Sequence, residues 1–176
     1  MLSQRKGQVW IETVLYTLIG LALIGLVLGF VTPRINQSRD NLLVEQSLNS
    51  LKTIDEKMNF VISKGNGNRI VIPEFTLKRG QLVIDPANKK IQFTIDGLSS
   101  PYSEPGVHVK FGKIDVLSEK GPRTSNITMT LEYSTPIKYN DLAEIKTLES
   151  AATPYSISLE GKIDSANTAY VNIVAS

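Results

Sequence analysis

The chain contains no cysteine, which excludes disulfides, thiolate metal sites and cysteine nucleophiles together. Whatever folds must be held by packing alone. Histidine and tryptophan occur once each, as His108 and Trp10. In Val107-His108-Val109-Lys110 the imidazole sits on one face of a candidate strand, where a plain strand residue outweighs a general base or a metal ligand. The sequence has no phosphate-binding glycine loop, serine-nucleophile elbow or paired catalytic carboxylates. Asp85, Asp96, Asp115 and Asp164 fall mostly at strand ends, where carboxylates serve turns rather than a metal loop. The expectation is a protein that is not an enzyme and uses no cofactor and no metal. A surplus of one charge is also missing: 19 Lys+Arg against 17 Asp+Glu leave a formal net charge of +2. The basic residues are scattered apart from pairs such as Arg5-Lys6 and Lys89-Lys90, which argues against an extended nucleic-acid surface.

What the chain does have is unevenly distributed. Its 176 residues hold one globular domain and an anchor, not two independent cores. From Thr13 to Pro33 there is no charged side chain, and the stretch from Val14 to Val31 is rich in Leu, Ile, Val and Gly. As a helix rising about 1.5 Å per residue it would cover roughly the 30 Å hydrocarbon thickness of a bilayer. A removed secretory signal has a shorter apolar region followed by a small-residue cleavage site, and no such site follows Val31. The segment reads as a retained membrane helix. Arg5 and Lys6 directly precede it and favour a cytoplasmic N-terminus, against the weaker competing claim of Arg34 and Arg39 beyond it.

The residues leading into the span are Arg5-Lys6-Gly7-Gln8-Val9-Trp10-Ile11-Glu12. A carboxylate at the mouth of an apolar helix is costly unless it snorkels, pairs or takes up a proton. This stretch resembles the prepilin signal of type IV pilins, in particular the archaeal form, with Lys-Gly before the cut and Gln after it. Trp10 departs from the small residue usual at its position, and suits an interfacial aromatic. The resemblance covers about residues 5–45. It implies cleavage by a prepilin peptidase between Gly7 and Gln8, on the cytoplasmic side, with the helix retained. Glu12 then becomes the fifth residue of the mature chain, where pilins carry a glutamate that pairs with the α-amino group of a neighbouring subunit, here at Gln8. Pairing offsets much of the cost of burying either charge. An archaeal-flagellum subunit shares the Lys-Gly-Gln processing site, while Glu12 is the more pilin-like feature. The resemblance further implies other pilin subunits, a pilus assembly ATPase, a membrane platform and, before assembly, membrane lipid as partners. It makes the chain a major or minor pilin of a surface filament.

Two other readings stay open: a minor pilin or adhesin whose β-domain binds a target, and an uncleaved single-pass anchor carrying a β-domain. Within the span, Gly25 and Gly29 are four residues apart and would let a neighbouring helix approach closely. Glycine is also simply common in membrane helices.

Pro33 is expected to mark a hinge between a membrane helix over residues 8–32 and an amphipathic helix over residues 33–64. In the latter, Ile35, Leu42, Leu43, Leu48, Leu51, Ile54, Met58, Val61 and Ile62 recur mostly at three- and four-residue steps. That stripe suits either packing on a sheet or a coiled-coil stalk. Lys64-Gly65-Asn66-Gly67-Asn68 ends the helix. From there the pattern changes to period two. The expected fold class is α+β: a long N-terminal helix, transmembrane then amphipathic, followed by an extracellular antiparallel β-sandwich or β-sheet head over residues 65–176. A meander is expected over residues 69–95, with Asp85-Pro86-Ala87-Asn88-Lys89 as a hairpin loop. Further strands are expected at 107–111, 114–117, 127–133, 155–159 and 170–174, roughly eight in all, with an irregular loop at 98–106. Residues 141–151 read as a short helix or an irregular crossover. Asn36-Gln37-Ser38 and Asn126-Ile127-Thr128 match the N-glycosylation acceptor pattern. The pilin resemblance implies that residues 1–7 are a leader peptide.

Overall fold

A computed structural model describes the backbone of residues 4–176 and the side chains of residues 9–176. One helix, α1 (Gln4–Lys64), precedes ten strands. These are β1 (Arg69–Phe75), β2 (Gln81–Asp85), β3 (Lys90–Leu98), β4 (His108–Phe111), β5 (Ile114–Lys120), β6 (Ser125–Glu132), β7 (Ile137–Tyr139), β8 (Lys146–Glu149), β9 (Tyr155–Ile163) and β10 (Ala169–Ala175). The architecture is α+β, a long helix followed by antiparallel-rich sheets. The chain divides into two compact units, Met1–Arg39 and Asp40–Ser176.

Among the described residues the first unit is helix alone. Pro33 lies inside α1, so the helix runs through the position expected to be a hinge. Proline at 33 removes the N–H that would bond the Gly29 carbonyl and its ring crowds that carbonyl, yet the helix continues on both sides. Thr13, Thr17 and Thr32 turn their hydroxyls back onto the Val9, Thr13 and Leu28 carbonyls at 2.9, 2.8 and 2.7 Å, so they add no unmet polar group to the apolar stretch. Its Leu, Ile and Val side chains are exposed. The helix is long and apolar enough to cross a membrane, with a mean hydropathy of 2.5 in its most apolar window.

In the second unit α1 is amphipathic and buried on one side. Val44, Leu48, Leu51, Ile54, Met58 and Val61 follow steps of four, three, three, four and three, which place them on a single face. They join one hydrophobic core with both sheets, so the stripe packs on sheet and is not a stalk seam. Gly65 at φ 79° and Gly67 at φ 83° take the left-handed conformations that end the helix. The Asn68 side-chain amide donates to the Lys64 carbonyl at 3.1 Å.

Six strands form one sheet in the order β4-β5-β6-β3-β2-β8, antiparallel throughout. Four form the other in the order β1-β9-β10-β7, where the β7–β10 pair is parallel. The expected meander over residues 69–95 is therefore only half present. β2 and β3 form the hairpin, whereas β1 leaves to pair with β9 in the other sheet. The hairpin turn is held by the Asp85 carboxylate, which accepts from the Asn88 backbone N–H at 3.1 Å and its side-chain amide at 2.7 Å. Those bonds to the ionised form, chiefly from the Asn88 side chain, lower the Asp85 pKa despite burial. Residues 141–151 hold a turn and strand β8 rather than a helix, and β7 is a further strand not expected from sequence.

Candidate functional site

The residues that carry the sequence argument lie on the exposed part of α1. Gly7 and Gln8 are within the helical backbone, but their side chains, and hence the chemistry of the expected cleavage site, lie outside the described residues. Glu12 is on the exposed surface of the helix, one turn after Gln8. Trp10 is 71% exposed. An added Cβ at Gly20, Gly25 or Gly29 would meet nothing within 4 Å; Gly25 and Gly29, about one turn apart, share a face that another helix could approach closely, whereas Gly20 lies on the other side of the helix. Asn36 is exposed on α1, while Asn126 is half-buried near the start of β6. The Asn126 side-chain oxygen accepts weakly from the Gly97 N–H at 3.5 Å.

The β-domain holds its end of α1 by polar contacts at both ends of the buried stripe. The Asp40 carboxylate pairs with Arg79 at 3.3 Å and accepts from the Ser99 N–H at 2.6 Å. Arg79 also donates to the carbonyls of Asp96 and Gly97, so one guanidinium ties the helix to the bulged end of β3. Toward the other end, the Lys113 ammonium donates to the Asn59 side-chain oxygen at 3.0 Å. Asp55 and Tyr133 face one another inside the domain, where burial and then the Asp55 carboxylate push the Tyr133 phenol well above its usual pKa.

Between α1 and the β4–β5 hairpin runs an open groove of about 720 Å³. Its apolar surface comes from Leu48, Tyr102, Phe111 and Ile114, and its rim carries Glu45, Glu56 and Lys52. Tyr102 and Phe111 contact at 6.3 Å between ring centroids, and burial, then the nearby Glu45 charge, raises the Tyr102 pKa. His108 lies on β4 with its Nδ1 2.7 Å from Asp115 on β5. It is a strand residue paired with a carboxylate, and no three His, Asp or Glu residues gather into a metal-holding cluster among the described residues.

A second polar cluster, not anticipated from sequence, organises the β7–β8 connection. Asp141, at φ 63°, accepts from Lys162 Nζ at 2.8 and 3.0 Å and from the Tyr170 hydroxyl at 2.9 Å. Its backbone N–H donates to the buried Asn172 side-chain oxygen at 2.8 Å. Lys162 hydrogen bonding, followed by that from Tyr170, lowers the Asp141 pKa, and the same pairing raises that of Lys162. The turn so fixed leaves Leu142 54% and Ile145 62% exposed. These contacts join residues about 20 to 30 positions apart, a separation that local periodicity does not register.

No protein-family model, curated protein or solved structure matches the chain.

Proposed function

We propose that the chain is a pilin-like structural subunit, cut between Gly7 and Gln8 by a prepilin peptidase and assembled through its apolar helix into a surface filament. The supporting observation is the pairing of an exposed apolar helix, carrying Glu12 at its start, with a separate compact β-domain that has its own core. A helix with this much exposed apolar surface requires lipid or other helices around it. In this reading it sits first in the membrane, with the β-domain outside, and then among the helices of other subunits. Gly25 and Gly29 lie where helices approach, and the Glu12 carboxylate receives the Gln8 α-amino group of a neighbour. The assembly ATPase and membrane platform of such systems are its further partners.

The decisive measurement is the N-terminus of the protein isolated from its own membrane or surface fraction. A start at Gln8 is expected; a start at Met1 or Leu2 would reduce the chain to an uncleaved anchored domain.

A further inference from the structure

The six-stranded sheet ends in two four-residue edge strands, β4 and β8, on opposite sides. Their registers match across the whole sheet. Leu148 pairs with Leu82, which pairs with Phe93, then Met129, Val116 and Val109, without a shift. Glu149 connects in the same way through Gln81, Thr94, Thr128 and Leu117 to His108. Every strand is antiparallel to its neighbour, so a second copy placed beside β8 would present its β4 in the antiparallel sense that continues the alternation. Free strand edges invite such pairing unless they are blocked; neither edge contains proline, while each is four residues long and carries one lysine, Lys110 or Lys146.

We infer that β4 of one copy pairs with β8 of the next, so that the six-stranded sheets of successive β-domains join edge to edge. Support comes from the side chains brought together when the rows continue straight. Leu148 meets Val109 on the core face, Glu149 meets His108 and Thr147 meets Lys110 on the outer face, and Lys146 meets Phe111. Leu148–Val109 is an apolar pair, and Glu149–His108 sets a carboxylate beside an imidazole that already bonds Asp115 within its own copy. The same placement carries the exposed Ile145 and Leu142, just before β8, toward the mouth of the neighbour's groove at Phe111 and Tyr102. The Tyr155 hydroxyl bonds the Glu149 carbonyl at 2.8 Å and ends the ladder there. Because the two edges differ, the contact is heterologous and repeats from copy to copy, as a filament requires and a closed two-fold dimer does not. The edges lie five strand spacings apart, roughly 24 Å. The inference deepens the filament reading and rests on the chain being an assembling subunit.

The absence of cysteine from the sequence gives a silent background for a thiol test on the full chain in its membrane. Thr147→Cys and Lys110→Cys are placed on separate, differently tagged copies that are expressed together and oxidised with copper–phenanthroline. A disulfide between the two tagged copies is expected, at a yield at least tenfold above that of a Lys138→Cys and Lys110→Cys pair, whose first residue lies in the other sheet. Adding Leu142→Asp and Ile145→Asp should lower that yield at least fivefold without moving the melting temperature. A yield no higher than the control overturns edge pairing. The N-terminus, read on the same membranes, separates the two proposals: a Gln8 start with control-level cross-linking removes edge pairing alone, and a Met1 start with strong cross-linking removes the processed-filament reading alone.

Discussion

Glu12 and Asp141 are both carboxylates outside the core, and their surroundings give them different work. Glu12 stands at the start of an apolar helix, and in the proposed filament it meets the positive end of another subunit. Glu12→Ala is expected to leave cleavage at Gly7 intact and to reduce filament yield, which N-terminal sequencing and electron microscopy of sheared fractions would measure together. Asp141 instead acts within its own fold, through Lys162 and Tyr170. Because its folded pKa is lowered, its contribution is present above the unfolded value of about 3.9 and is lost as pH falls through the folded one. Lys162 is raised, so its share is present below the unfolded value of about 10.4 and is lost as pH rises through the folded one. Asp141→Asn should therefore lower the melting temperature at neutral pH, with the difference from the parent chain closing at both extremes of a pH series.

At the scale of the element, α1 follows two different rules along one continuous helix. From Val14 to Val31 it is apolar all round, and its second part is apolar on the face formed by Val44, Leu48, Leu51, Ile54, Met58 and Val61. Leu51 is fully buried, whereas Leu21 is 61% exposed. Leu51→Ala should cost about 2–5 kcal/mol of β-domain stability through lost burial and a residual cavity. Leu21→Ala should leave the denaturation midpoint of that domain unchanged. Chemical denaturation followed by the near-ultraviolet signal of the β-domain tyrosines distinguishes the two. Equal losses would mean that the exposed part of the helix contributes to the core after all.

For the whole molecule, the division at Arg39 and Asp40 separates a lipid-compatible helix from a unit that contains every residue of the hydrophobic core. A fragment of residues 40–176 should therefore be soluble without detergent, fold cooperatively, and melt within a few degrees of the β-domain in the full chain. The full chain should require detergent or lipid. Loss of cooperative melting in the fragment would show that residues before 40 are needed for the fold. In the adhesin alternative, removal of the loop over residues 98–106 would lower target binding while leaving filaments. That loop includes buried Leu98 at the end of β3 and Ser99, whose N–H is bound by Asp40, so the melting curve of such a variant must accompany the binding assay.

The sequence by itself determined the apolar helix, its amphipathic continuation, the stop at Gly65 and the period-two character of the chain beyond Asn68, because each is written in neighbouring residues. It also carried the Asp85 turn, whose donor is three residues away, and the Arg5–Glu12 stretch on which the pilin resemblance rests. The structure shows α1 helical on both sides of Pro33, a position that the sequence marks as a hinge. Tertiary structure alone sent β1 to β9, 89 positions along the chain from Arg69 to Ser158, and made β8 a strand. Edge partners of that kind are chosen by burial against residues distant in sequence, and local periodicity contains no record of which distant strand will supply them.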